Sequence, residues 1–102
     1  MITVTRKENG VQVEGHAYSG KPGEDIICSA ASILAHTLAY NLRDLQDMGI
    51  LTDLDIDLGH GNASISYSVA DDRGAIVQLV VDTVMTGYHL LADSYPDKVC
   101  MG

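Results

Sequence analysis

The stretch 53-DLDIDLGHGNASISYSV-69 holds two alternating runs around a turn. In the first, Leu54, Ile56 and Leu58 alternate with Asp53, Asp55 and Asp57. In the second, Ile65, Tyr67 and Val69 alternate with Ser64, Ser66 and Ser68. Successive side chains on a strand point to opposite faces, so each run presents one apolar and one polar face. Gly59-His60-Gly61-Asn62 between them predicts a hairpin that turns both apolar rows onto one core. The Asp and Ser rows are left to water.

On the N-terminal side of this hairpin, Ile27, Ala31, Leu34, Leu38, Leu42 and Leu45 recur at spacings of three and four. That is one stripe of an amphipathic helix ending before Gly49. Asp25 is its natural N-cap, with a carboxylate able to accept the Cys28 amide hydrogen, and Gly49 suits the C-terminal end. On the other side, Asp71-Asp72-Arg73-Gly74 breaks the strand pattern. Val77, Val80, Val84, Tyr88, Leu91 and Tyr95 then predict a second helix stopped by Pro96. At the start of the chain, Ile2 and Val4 alternate with Thr3 and Thr5, Asn9-Gly10 signals a hairpin, and Val11 and Val13 continue in a second strand. A loop rich in turn residues, Ser19-Gly20-Lys21-Pro22-Gly23, leads into the first helix. The order is ββαββα. Two helices on one face of a mostly antiparallel four-stranded sheet would bury every apolar row, making an α+β two-layer sandwich. A chain of 102 residues suits one such domain, 1–102.

Hydrophobic residues make up 46% and charged residues 20%, which fits a folded chain. No run approaches the roughly 20 consecutive apolar residues of a membrane span. Arg6, Lys7 and Glu8 follow Met1 without the apolar core of a signal peptide, so a cytoplasmic protein is expected. The formal charge of -8 repels nucleic-acid phosphate and lipid surfaces and favours a basic or neutral partner. Five tyrosines are the only aromatics, which leaves no stacking platform for bases. Cys28 and Cys100 form no paired motif and would stay reduced in a cytoplasmic chain.

Cys28 falls in the first turn of the first helix, where unpaired amides and the helix dipole favour thiolate, the nucleophilic form. The amides of Cys28 and Ser29 can also hold a developing oxyanion. Against this stands a small core residue beside Ile26, Ile27 and Ala30. His16, twelve positions earlier, is within reach as a base if the loop folds back. Strict alternation puts His16 on the polar face with Gln12 and Glu14, unless Gly15 marks a bulge that reverses the parity. His36 lies about 12 Å along the helix from Cys28 and is not its base within one subunit. His60 and His89 read as surface groups, and Cys100 as incidental. No metal is expected: the histidines and cysteines lack paired-ligand spacing, and Asp53, Asp55 and Asp57 lack the glycine and terminal glutamate of a calcium loop. Gly20 and Gly23 do not make a phosphate loop.

Taken together, Gly15-His16-Ala17, the glycine-bearing loop and Asp25-Ile26-Ile27-Cys28-Ser29-Ala30 make the chain resemble the ribosomal-processing cysteine protease family, Prp. The likeness runs close to full length and includes the second helix closing on Tyr95-Pro96. It implies a catalytic dyad of His16 and Cys28, with no cofactor. It also implies a small homodimer that removes a short N-terminal extension from a large-subunit ribosomal protein, in Firmicutes and their relatives. Ser29 stands where many relatives have Ala, a small-for-small change. Ribosomal proteins are basic, which fits an acidic enzyme. Gly20, Pro22 and Gly23 then become a mobile substrate loop. Three other readings stay open: a protease acting on a phage structural protein, a non-enzymatic ribosome-assembly module, and a redox-sensing thiol protein with Cys100 as the resolving partner.

Overall fold

The computed structural model describes residues 1–17, 25–59 and 61–102. In chain order its elements are β1 (Ile2–Lys7), β2 (Gly10–Gly15), α1 (Ile26–Asp47), β3 (Leu51–Gly59), β4 (Asn62–Val69), α2 (Gly74–Ser94) and β5 (Val99–Met101). The strands form one five-stranded sheet in the order β3-β4-β2-β1-β5. All neighbours run antiparallel except β1 and β5, which are parallel.

The α+β class and the mostly antiparallel sheet are as expected, but the strand count of four and the order ββαββα need correction. Val99–Met101 is three residues long, too short for an alternating pattern to register in sequence. It becomes a strand by docking: Ile2 N–H donates to Lys98 O and Gly102 N–H to Val4 O, both at 2.7 Å. Val99 is 1% exposed and belongs to the core.

The hairpin of β3 and β4 pairs Leu58 with Ala63, Ile56 with Ile65 and Leu54 with Tyr67, so both apolar rows do share one face. In the first hairpin the turn residues are Glu8 and Asn9, and Gly10 already pairs with Lys7. Gly10 is glycine for another reason: a Cβ there would come within 2.6 Å of the Ile65 carbonyl oxygen on β4.

Both helices pack their apolar stripes onto the sheet. Ile27, Leu38 and Leu42 of α1 meet Val77, Val81 and Tyr88 of α2 in the same core as Val4, Val11 and Ile65. The Tyr88 hydroxyl donates to Ala31 O at 2.8 Å, fastening one helix to the other, and burial pushes its phenol well above the ordinary tyrosine range. By length and composition α2 is apolar enough to cross a membrane, although Gln78, Asp82 and His89 interrupt the run. Its buried face, which includes Val77, Val84, Met85 and Leu91, is that of a core helix, which meets the same test.

Candidate active site

Gly15 closes β2 with φ of +100°, a conformation that L side chains rarely adopt, and a Cβ there would collide with the Met1 carbonyl oxygen. β2 ends at this kink, so the strand's alternation no longer assigns His16 to the polar face. His16 lines a cavity shared with Val13, while Ala17, in phase with Val11 and Val13, is buried in the core at 1% exposure. The Gly15 N–H donates to Gly61 O at 2.9 Å, tying the end of β2 to the turn before β4.

Cys28 is half-buried in the first turn of α1. Asp25 caps this helix: its Oδ1 accepts the N–H groups of Ile27 and Cys28, each at 3.0 Å. The Ala17 N–H donates to Cys28 Sγ at 3.4 Å, so the residue following His16 is fastened directly to the sulfur. Residues 18–24 lie between these two anchors and outside the described residues. The substrate loop assigned to Gly20, Pro22 and Gly23 falls there, and His60 is likewise outside them.

His16 and Cys28 open into one cavity of about 790 Å³, a size suited to a small ligand or a stretch of peptide. Val13, Leu58 and Ala63 line its sheet side, and Ser32 and His36 continue it along α1. His36 Nδ1 donates to the Ser32 carbonyl oxygen at 2.8 Å, one turn back on its own helix. Helix rise separates His36 from Cys28 along the axis, but both border the same space. Cys100 on β5 sits 3.7 Å from Thr3 Oγ1, and His89 is exposed on α2; neither is among the described residues lining the cavity. Asp53, Asp55 and Asp57 are exposed along β3.

The amides of Cys28 and Ser29, expected to hold an oxyanion, both bond to Asp25: Cys28 N–H donates to the carboxylate and Ser29 N–H to the backbone carbonyl, each at 3.0 Å. The N–H directed at the sulfur is that of Ala17. Gly61 was read only as a turn residue, yet it lies against the His16 ring. A contact across 45 positions carried by a missing side chain leaves no periodic signal.

The family model described as "Cysteine protease Prp" matches residues 1–100. The chain belongs to this family. As a Prp it is a cysteine protease. Its fold is similar to that of the essential ribosomal processing protease Prp from S. aureus in complex with a covalently linked product peptide. That pair is 23% identical with a TM-score of 0.77, over 100% of this chain and 98% of the other. The same protease in complex with a substrate peptide gives 19% identity and a TM-score of 0.69, over 99% and 95%. SMU.848 from Streptococcus mutans is 29% identical with a TM-score of 0.67, over 98% and 89%. No curated protein matches.

Proposed function

We propose that this Prp is an endopeptidase in which Cys28 is the nucleophile and His16 the base, and that it removes a short N-terminal extension from a large-subunit ribosomal protein. The observation that carries the reading is the Ala17 N–H donated to Cys28 Sγ, which holds the residue after His16 on the sulfur at the mouth of one cavity. In the reaction His16 takes the thiol proton and Sγ bonds to the scissile carbonyl carbon. The C–N bond then breaks, with the proton passing from His16 to the departing amine. His16 next takes a proton from water, whose oxygen displaces the sulfur to give the carboxylic acid and the free thiol. The Ala17 N–H donates to Sγ before attack; as the sulfur lone pair goes into the new bond to the carbonyl carbon, that N–H is released beside the oxygen that gathers charge and serves as its donor. Asp25 holds the first turn of α1, and hence Cys28, in position.

The substrate is supported by family membership and by the ribosomal processing protease among its structural relatives. A net charge of -8 attracts the basic chain of a ribosomal protein. The protein works in the cytoplasm, where that substrate is made, and as a homodimer. Ile76, Leu79, Thr83, Thr86 and Leu90 form an exposed stripe on α2 without a charged member. Two acidic copies repel least across such a face. Light scattering on the Leu79→Glu variant should find monomers where the unaltered protein is a dimer. The function itself is tested by incubating the protein with its host's ribosomal protein precursor and sequencing the new N-terminus. Failure to cleave that precursor while cleaving a phage structural protein would reassign the substrate.

A further inference from the structure

Gly61 stands at the turn between β3 and β4 with φ of +74°. A Cβ on it would lie 2.8 Å from His16 Cε1 and 3.2 Å from Cδ2, and closer still to Nε2. The His16 ring therefore occupies the space that any L side chain at position 61 would need. The carbonyl of the same residue accepts the Gly15 N–H at 2.9 Å, so Gly61 holds the backbone before His16 while its bare Cα adjoins the ring. Two restraints on one histidine, from one residue 45 positions away, exceed what closing a hairpin requires. Gly49 makes the contrast: with φ of +77° it is as left-handed as Gly61, yet nothing lies within 4 Å of the place its Cβ would take.

We infer that Gly61 is a positioning residue for catalysis: it seats the His16 imidazole against the β3–β4 turn and so sets where the base stands in the cavity that Cys28 shares. The inference rests on His16 being the base. Asp25, Cys28 and His36 are the other titratable side chains among the described residues that border the same cavity. A base displaced by about 1 Å loses on the order of 100-fold in turnover.

The test compares Gly61→Ala with Gly49→Ala, which share the backbone strain and differ in the ring contact. Gly61→Ala should lower kcat about 100-fold with KM little changed, and should slow Cys28 alkylation and alter its pH profile. Gly49→Ala should lose thermal stability but keep kcat and the alkylation profile. Equal kcat and equal profiles in the two variants would overturn the inference. If Gly61→Ala does not fold, NMR of the unaltered protein decides: the Gly61 Hα resonances should carry a ring-current shift that disappears in His16→Ala, and its persistence there would refute the seat. Failure of the underlying reading looks different, because His16→Ala would then retain full turnover whatever happens at Gly61.

Discussion

Asp25 is 8% exposed, and its carboxylate accepts the amides of Ile27 and Cys28, so the acid that starts α1 also orients the residue bearing the thiol. Asp25→Ala should cost about 1 kcal/mol in thermal or denaturant unfolding, the usual worth of an N-cap, and lower turnover by loosening Cys28. Cys28→Ala and Cys28→Ser should abolish cleavage with unchanged circular dichroism, whereas Cys100→Ser should cleave normally; the reverse pattern would make Cys100 the nucleophile. His16→Ala should lose most of its turnover and slow the alkylation of Cys28, and His36→Ala should retain activity in the same peptide assay. The Asp25 cap and the place of Cys28 in the first turn of α1 were legible in the sequence, because each leaves a local signature, and so was the bond from Cys28 N–H to the Asp25 carboxylate. The amide that reaches Sγ was not, since Ala17 comes to it from eleven positions away.

At the scale of elements, the two amphipathic helices and the β3–β4 hairpin were legible because their periods of about 3.6 and 2 run for many residues. β5 was not, since three residues contain no period and their pairing depends on a strand at the far end of the chain. Val99→Ala removes two methyl groups from a site 1% exposed and should cost about 2 kcal/mol in denaturant unfolding. Between the helices, Tyr88 has its phenol raised by burial above the ordinary value of 10.0. The unfolded chain then releases this proton at a lower pH than the native one. The stabilisation is whole below about pH 10 and is lost as pH climbs through the raised value. Unfolding midpoints should therefore fall above about pH 10, and the fall should be shallower in Tyr88→Phe. An equally steep fall in that variant would place the alkaline sensitivity elsewhere.

For the whole molecule, fourteen acidic residues against six basic ones make a negative field around a mostly apolar cavity. With a basic peptide substrate, kcat/KM should fall as salt shortens the screening length from about 10 Å at 0.1 M to about 3 Å at 1 M. A neutral peptide with the same cleavage sequence should feel little of this, and equal salt dependence for both would remove the charge argument. The parallel pairing of β1 with β5 also governs time. Ile2 meets Val99 across 97 positions, so β1 waits for a segment synthesised long after it before its second edge is covered. Everything that builds the cavity, from Ile2 to Ala63, emerges before that moment. A nascent chain thus carries all the described parts of the cavity while β1 still offers an open edge to other strands, and the slow, long-range closure by Val99–Met101 is what ends that exposure.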